Sequence, residues 1–319
     1  MSLGLYNPEK HYTKKILEDI KRTWKQSVII EAGYPIIIEP NGYTIEHVDG
    51  TGTKGYLHWL KGSYESAAID AFAMNANDLG ILGFKPKTMN CHLILQEERE
   101  EAIYSVVRKL SELCLQYDII FTGGETAVLN TLKGMEVGIH MSGFTEKTIN
   151  KPLKEDDLVY GHLSNGIHSN GLSMARKLFE DDLNDSTLDK LTIPTEIYLG
   201  ILERTSFAKK RMHITGGAFT KLKKLISNDF NLSIDLTRIN LMSIFELLYE
   251  KLKDQVKNPS YEMLRIFNCG IGFIEIISSE DQDRFEKITP ESKLIGKVLP
   301  KGEGKINLIS PFDDSSVQF

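Results

Sequence analysis

The chain has 319 residues, of which 41% are hydrophobic and 26% are charged. These fractions are close to those of ordinary globular proteins, so we expect a packed core in one large or two ordinary domains, and we exclude disorder. The formal net charge of −6 argues against bulk nucleic-acid binding, because it leaves only local basic clusters to hold anionic ligands.

The cysteines and the apolar runs indicate a compartment. Cys91, Cys114 and Cys269 lie far apart and form no C-x-x-C spacing, which fits a reducing environment and argues against a disulfide scaffold or a zinc site. No apolar run approaches the roughly 20 residues of a membrane span, and the polar N-terminal stretch lacks the apolar core of a signal peptide. We therefore expect a cytoplasmic protein with no membrane partner.

The first half of the chain alternates short strands with amphipathic helices, beginning with a helix predicted over residues 9–26 from its apolar spacing. The elements predicted after it are strands over 28–30, 35–38 and 44–48, a helix over 64–79, a strand over 88–95, a helix over 98–116, and strands over 118–122 and 136–144. The strand at 44–48 runs into a glycine loop over 49–54. The strand at 118–122 is expected to stop at Gly123.

A charged stretch over residues 146–157 is the predicted linker, because it is polar and contains Pro152. It divides the chain into a domain of residues 1–150 and a domain of residues 151–319. The elements predicted in the second half are a strand over 158–163, helices over 172–179, 195–204 and 219–226, a strand over 232–235, a helix over 242–253, and a strand over 273–277. This alternation predicts a two-domain α/β or α+β fold.

The predicted helix at residues 64–79 carries polar residues that suggest a metal site. Its body is apolar, yet it contains Asp70, Asn77 and Asp78, and Asp70 and Asn77 lie two turns apart on one face. Buried carboxylates are costly unless they are paired or bound to a cation, and Mg²⁺ prefers oxygen ligands. Asp49 and Glu125, each in a glycine loop at a strand end, are candidates to complete the site. The alternative is that Asp70 lies at the solvent edge and Asp78 caps a turn.

Two glycine turns in the second half are candidate anion sites. Ser169 or Asn170 can cap the helix that follows Gly171, and Thr215–Gly217 precedes another predicted helix. Backbone amides at a helix N-terminus bind anions, although simple capping is the alternative. His168 lies in the same polar loop between small residues, which leaves its side chain free to face a ligand; a surface histidine is the alternative there. The common G-x-x-x-x-G-K-[ST] and G-x-G-x-x-G phosphate motifs are absent from the sequence.

Taken together and in this order, these segments resemble the aminoimidazole ribonucleotide (AIR) synthetases, also called phosphoribosylformylglycinamidine cyclo-ligases. The resemblance covers residues 45–275, so it includes both halves. The matching segments are Asp49-Gly-Thr-Gly-Thr-Lys54, Ile69-Asp70, Asn77-Asp78-Leu79, Gly123-Gly-Glu-Thr-Ala127, His168-Ser-Asn-Gly171, Ile214-Thr-Gly-Gly217 and Phe267-Asn-Cys-Gly270.

The resemblance implies a two-domain PurM-like fold. In it, the N-terminal domain binds ATP and Mg²⁺ and joins its sheet to that of a second subunit in a homodimer, while the C-terminal α/β domain contributes to the substrate site. The implied reaction converts formylglycinamidine ribonucleotide and ATP into AIR, ADP and phosphate. The residues that the resemblance assigns are His168 and Lys54 to catalysis, Asp49, Asp70, Asn77, Asp78 and Glu125 to metal–ATP binding, and Gly50, Thr53, Gly124, Thr126, Ser169, Asn170, Gly171, Thr215, Gly216 and Gly217 to binding of ATP or the ribonucleotide.

Two other interpretations remain open. The first is another ATP-using enzyme of the same superfamily, either a small-molecule kinase or a synthetase. Selenophosphate synthetase and the hydrogenase maturation protein are disfavoured, because no cysteine precedes Cys91 and the chain ends without one. The second is a diverged, non-catalytic nucleotide-binding module, against which the intact acidic residues count.

Overall fold

The computed structural model describes residues 18, 21–24, 28–147, 151–300 and 302–319. The helix predicted over residues 9–26 therefore lies almost entirely outside the described residues. The expected mixed α/β architecture is confirmed, with one sheet in each half of the chain. Within the described ranges, no helix is both long enough and apolar enough to cross a membrane.

The first sheet belongs to the N-terminal half. Its strands are β1 Val28–Glu31, β2 Tyr34–Glu39, β3 Gly42–Gly50, β4 Lys85–Leu95, β5 Ile120–Val128 and β6 Met135–Thr145. They are ordered β1-β2-β3-β6-β4-β5, so β5 forms one edge, paired in parallel with β4. The prediction that β5 stops at Gly123 is wrong, because Gly123 to Thr126 continue the strand and pair with residues 90–93 of β4.

In the described ranges, this sheet is accompanied by the helices Thr53–Lys61, Tyr64–Ile81 and Glu100–Gln116. The alanine-rich helix Tyr64–Ile81 packs against the sheet because its small side chains, such as Ala67 and Ala71, are completely buried. The helix Thr53–Lys61 was not predicted, since its glycines read as a loop. Its N-cap is Gly52 with φ 51°, a left-handed backbone that glycine adopts without steric cost.

The second sheet belongs to the C-terminal half. Its strands are β7 Leu158–Leu163, β8 Lys210–His213, β9 Phe230–Asp235, β10 Ile271–Ile277, β11 Lys293–Pro300, β12 Ile306–Ile309 and β13 Ser316–Gln318. They are ordered β13-β12-β9-β11-β7-β10-β8. The helices of this half are Leu172–Leu178, Asp185–Leu191, Leu199–Arg204, Ser243–Leu252, Pro259–Ile266 and Gln282–Ile288. The strand β10 is buried along its whole length.

Two predicted helices of this half differ from the structure. The helix predicted over 195–204 begins at Leu199, because the amides of Thr195 and Tyr198 donate to Asp70 and Asn77 of the other half. The helix predicted over 219–226 is a 3₁₀ helix, Ala218–Leu225. The helix Pro259–Ile266 and the three last strands were not predicted.

The cores of the two halves interlock. Leu57 from the first half packs in the core of the second, while Tyr198, Leu202 and Phe273 from the second half pack in the core of the first. In sequence, one sheet precedes the predicted linker and the other follows it. The apolar packing is nevertheless shared between the two halves, so the domain boundary at residue 150 stays a prediction.

One face of the first sheet is exposed. The other face is covered by helices, as the fully buried Ile139 of β6 shows. The exposed face, which we call the open sheet face, consists of Glu46, Val48, Asn90, His92, Ile120, Glu125 and His140. Val48 and Ile120 are 72% and 66% exposed, so this surface presents large apolar side chains beside the unpaired β5 edge.

Candidate active-site cavity

A cavity of about 260 Å³ lies where the two halves meet. It is lined by three loops, residues 49–53, 169–174 and 216–217, together with Met74, Lys177 and Ile266. Thr53 Oγ1 and Ser173 Oγ are 2.8 Å apart and form a hydrogen bond that joins the first two loops. The cavity is therefore built from residues that are more than 100 positions apart in the sequence.

The cavity brings together many of the residues predicted to bind ATP or the ribonucleotide. The predicted site residues that line it are Asp49, Gly50, Thr53, Ser169, Asn170, Gly171, Gly216 and Gly217. The N-terminus of the nine-residue helix Thr53–Lys61 also opens here. Glycine-rich loops and the amides at a helix N-terminus together suit an anionic group.

Asp49 is the predicted metal ligand that faces the cavity. Its Oδ1 accepts a hydrogen bond of 2.8 Å from the Gly50 amide. Burial raises the pKa of Asp49, and the nearby charge of Asp78 raises it further. The Asp49 carboxylate is thus partly desolvated and pairs with few protein groups, so it retains acceptor capacity for a cation.

Glu136 is a carboxylate in this region that the sequence analysis did not single out. Its Oε1 accepts a hydrogen bond of 3.1 Å from the Gly52 amide. Burial raises its pKa, and the Asp49 charge adds to the effect. In the sequence its only mark is its place at the start of a strand, which signals no chemistry. Its contact with Gly52 supports the glycine loop, and it does not line the cavity.

Asp70 is the centre of a fully buried network. Its Oδ1 accepts from Lys54 Nζ at 2.8 Å and from the Thr195 amide and hydroxyl at 2.8 and 2.6 Å, and its Oδ2 accepts from His58 Nε2 at 2.8 Å. Burial alone would raise the pKa of Asp70, but Lys54 and His58 hold it well below its usual value. Both oxygens are therefore occupied by protein donors.

Lys54 is committed to the same network. Its side chain has no exposed surface, and its Nζ also donates to the Ile193 carbonyl at 2.6 Å. Burial lowers the pKa of Lys54, against the pull of Asp70. Lys54 does not line the cavity, so its assignment to catalysis stays a prediction, and the contacts instead give it a structural role between the halves.

Asn77 and Asp78 also serve contacts between the halves. Asn77 accepts from the Tyr198 amide at 2.8 Å and donates to the Glu196 carbonyl at 2.8 Å. Asp78 accepts from His213 Nδ1 at 2.8 Å and from the Tyr34 hydroxyl at 2.6 Å. The side-chain oxygens of Asn77 and Asp78, which were predicted to bind a metal, thus accept hydrogen bonds from protein donors.

The five predicted metal ligands are not brought together. Asp49 faces the cavity, Asp70 and Asp78 lie in separate buried networks, and Glu125 lies on the open sheet face, in register with His92. Across the described ranges, no group of three or more His, Cys, Asp or Glu side chains is close enough to hold a metal ion. Within one chain, Asp49 is the member of this set that can meet a ligand in the cavity.

His168 differs from the expectation for a loop residue. Its ring is fully buried and Nε2 donates to Asn165 Oδ1 at 2.9 Å, while Nδ1 has no hydrogen-bond partner within the described ranges. Burial lowers the pKa of His168 well below its usual value, and the charge of His213 adds to this. The lowered pKa favours the neutral ring. His168 does not line the cavity, so its catalytic role stays a prediction.

Three further predicted residues lie outside the cavity lining. Gly124 and Thr126 lie on β5 beside Glu125, within the first sheet. Thr215 is buried, and its Oγ1 accepts from Lys221 Nζ at 2.6 Å, which supports the Gly216–Gly217 turn from behind.

Two family models match the chain. The AIR synthase related protein, N-terminal domain, matches residues 31–145, and the AIR synthase related protein, C-terminal domain, matches residues 154–309. Curated relatives named phosphoribosylformylglycinamidine cyclo-ligase are similar along most of their length. The protein from Sulfurisphaera tokodaii is 31% identical over 292 residues, 88% of each chain. The protein from Pyrococcus horikoshii is 32% identical over 314 residues, 91% of each chain.

Solved structures share the fold at low identity. Thiamine monophosphate kinase from Aquifex aeolicus has a TM-score of 0.62 at 17% identity, over 95% of this chain and 96% of that chain. A chain named AaThiL, solved in complex with AMPPCP and TMP, has a TM-score of 0.65 at 14% identity, over 98% and 99%. At such identities the likeness shows the fold alone.

Proposed function

This chain belongs to the AIR synthase related family, and from that premise we propose that it is the ATP-dependent cyclo-ligase that makes AIR from formylglycinamidine ribonucleotide. The observation that carries the proposal is the similarity to named cyclo-ligases over about nine-tenths of both chains. The enzyme is a ligase that forms a C–N bond in purine biosynthesis.

The reaction needs ATP because an amide oxygen is a poor leaving group. The formyl oxygen attacks the γ-phosphorus of ATP, ADP departs, and the oxygen becomes part of an iminophosphate. The amidine nitrogen that bears the ribose then attacks the formyl carbon, and the C–O bond breaks to release phosphate. A proton leaves the attacking nitrogen, and the imidazole ring is closed. Catalysis of this kind depends mainly on positioning and on neutralisation of charge.

The cavity between the halves is the proposed place for this chemistry. The Thr53 amide at the helix N-terminus and the amides of the Gly216–Gly217 turn face phosphate oxygens, and the Ser169–Gly171 loop faces the ribonucleotide. In support, these loops converge on one cavity of about 260 Å³. A related fold has been solved with AMPPCP and TMP, so we extend nucleotide binding to this chain.

Magnesium is the proposed cofactor, with Asp49 as its protein ligand. Mg²⁺ in phosphoryl-transfer sites is usually held by one or two carboxylates together with substrate phosphates. Asp49 fits this pattern because it lines the cavity and keeps free acceptor capacity, whereas the oxygens of Asp70 and Asp78 are occupied by protein donors. When bound, the ion supplies neutralisation of charge on the transferring phosphoryl group.

The proposed assembly is a homodimer that buries the open sheet face. Val48 and Ile120 are large apolar side chains left 72% and 66% exposed, and β5 is an edge strand of the sheet formed by the described residues. Proteins commonly cover such edges. Glu125 lies on this face, so a second copy docked there approaches the Gly124–Thr126 segment. We propose that this segment contributes to ATP binding at that contact between the two copies.

The direct test of the proposed function is product formation. The purified protein is incubated with formylglycinamidine ribonucleotide, ATP and MgCl₂, and AIR is assayed as an aromatic amine. We expect AIR and ADP in equal amounts, and no ADP when the ribonucleotide is omitted. ADP release without AIR would favour a different kinase of the superfamily, and absence of any turnover would favour a non-catalytic module.

A further inference from the structure

Asn170 presents an unpartnered carboxamide to the cavity. Asn170 is 1% exposed, it lines the cavity, and neither Oδ1 nor Nδ2 has a hydrogen-bond partner among the residues that the structure describes. A buried polar group left unpaired costs about 1–3 kcal/mol, and the large majority of such groups are paired in native proteins. The missing partner of Asn170 must therefore come from whatever fills the cavity.

The neighbours of Asn170 hold it in this position. On one side, Ser169 Oγ donates to Asp70 Oδ1 at 3.2 Å. On the other side, Gly171 has φ +69° and packs so closely on Phe267 that an added Cβ would lie 2.3 Å from its ring. Because both flanking residues are fixed, the Asn170 carboxamide is preorganised towards the cavity, as a recognition group should be.

The chemistry of a carboxamide restricts the ligand that can satisfy it. Nδ2 donates two hydrogen bonds, and Oδ1 only accepts them. A phosphate or carboxylate can pair with Nδ2 but leaves Oδ1 without a donor. An amide or amidine edge both donates and accepts, so it can pair with both atoms at once.

Resting on the proposed cyclo-ligase function, we propose that Asn170 is a specificity-determining residue that hydrogen-bonds the formamide–amidine portion of the ribonucleotide, and not its phosphate. The phosphate is left to the backbone amides of Thr53 and of the Gly216–Gly217 turn. This contact orients the part of the substrate whose formyl carbon and amidine nitrogen must join.

The chain offers a matched control in Asn268. Asn268 is also fully buried, but its Nδ2 donates to the carbonyls of Gly166 and Ile167 at 3.0 and 3.1 Å, and its Oδ1 accepts from the Gly270 amide at 3.0 Å. Asn170→Leu removes a carboxamide that bonds to no other group in the described part of the chain. Asn268→Leu removes one that bonds three backbone groups.

The first measurement is thermal unfolding without ligand. We expect Asn170→Leu to melt at or above the temperature of the parent protein, because it removes unpaired buried polar atoms. We expect Asn268→Leu to melt several degrees lower. A large fall in melting temperature for Asn170→Leu would mean that its carboxamide is paired within the fold, and would overturn the proposal.

The second measurement compares two ligands by calorimetry. Asn170→Leu should lose roughly 10- to 100-fold in affinity for formylglycinamidine ribonucleotide, the scale of one or two lost hydrogen bonds. Its affinity for ribose 5-phosphate, which carries the phosphate without the amidine, should be unchanged. Equal losses for both ligands would assign Asn170 to the phosphate, and no loss for either would remove it from the site.

The kinetic measurement separates this proposal from the proposed function. In the AIR assay, kcat/KM of Asn170→Leu for the ribonucleotide should fall by the same factor, while KM for ATP stays the same. A parent protein that makes AIR and an Asn170→Leu variant with the parent kcat/KM would refute the role of Asn170 alone. A parent protein that makes no AIR would refute the proposed function, while the calorimetric comparison still decides whether Asn170 reads the amidine.

Discussion

The carboxylate of Asp70 is bonded to buried protein donors, whereas that of Asp49 faces the cavity. Mutation of each residue should therefore separate a structural role from a ligand-binding role. Asp70→Asn leaves Lys54 buried without its counter-ion. Breaking a buried, hydrogen-bonded ion pair costs about 3–5 kcal/mol, so we expect a loss of that size in the free energy of unfolding measured with urea. A variant as stable as the parent protein would show that the Lys54–Asp70 pair does not hold the halves together.

Asp49→Asn is the matched comparison. The pKa of Asp49 is raised by burial, so its ionised form is less stable in the folded than in the unfolded chain at neutral pH. We expect the variant to be at least as stable as the parent protein, yet to bind Mg-ATP roughly tenfold or more weakly, as the loss of one charged contact predicts. Unchanged nucleotide affinity with and without EDTA would contradict the assignment of the metal to Asp49.

The buried histidines predict how stability depends on pH. The pKa values of His168 and His58 are lowered by burial from 6.5. Below about pH 6.5 the unfolded chain binds protons that the folded chain does not, so the free energy of unfolding should fall by up to roughly 1.4 kcal/mol per pH unit and per histidine. The pKa of His47 is raised, because the hydrogen bond to Asp78 outweighs the effect of burial. His47 therefore changes charge above pH 6.5, outside the pH range considered for His168 and His58.

The variant that checks this is His168→Asn, because asparagine tolerates the left-handed backbone of φ 59° found at this residue. In urea unfolding between pH 6.5 and 5, its pH slope should be smaller than that of the parent protein by one proton. An unchanged slope would mean that the His168 ring is protonated in the folded state. AIR formation by the same variant tests the catalytic role predicted from the sequence.

At the residue scale, sequence reasoning found the residues of the cavity but not the partners of its charges. The glycines and the Ser169–Gly171 loop are recognisable because their residue types are locally unusual. The Lys54–Asp70 pair and the Asp78–His213 pair span 16 and 135 positions. Spacing alone cannot tell a buried carboxylate that is neutralised by such a partner from one that is reserved for a metal.

At the scale of elements, most strands and long helices were predictable because their apolar period matches their environment. The errors lie where glycine is part of a regular element. Gly123 and Gly124 lie within β5, where Gly124 packs so closely on the β4 backbone that an added Cβ would lie 1.9 Å from the Cys91 carbonyl oxygen. Gly52 caps a helix. In the sequence each of these glycines reads as the end of an element.

The open sheet face makes a prediction about assembly. Val48→Arg places a charge in the proposed interface and should convert the dimer to monomers at micromolar concentration, measured by light scattering. Leu115→Arg is the control, because Leu115 is 81% exposed but lies on the helix Glu100–Gln116, away from this face. A parent protein that is already monomeric, or loss of the dimer only in Leu115→Arg, would contradict this interface.

At the scale of the whole molecule, the cavity exists because the halves are locked together. The segment from Ile193 to Tyr198 runs along the helix Tyr64–Ile81 and bonds to Asp70 and Asn77. Asp70 and Asn77, which were predicted to bind a metal, make hydrogen bonds across the junction between the halves. Sequence reasoning could not foresee this, because it depends on how two separately recognisable halves dock.

If ATP activates the formyl oxygen of the ribonucleotide, that oxygen leaves in the phosphate, so an isotope label on it tests the proposed reaction directly. The protein is supplied with formylglycinamidine ribonucleotide labelled with ¹⁸O at the formyl group, together with ATP and MgCl₂, and the phosphate released is examined by mass spectrometry. We expect one ¹⁸O in each phosphate and one AIR for each ADP. Phosphate that carries oxygen from water, or ADP formed without AIR, would contradict it.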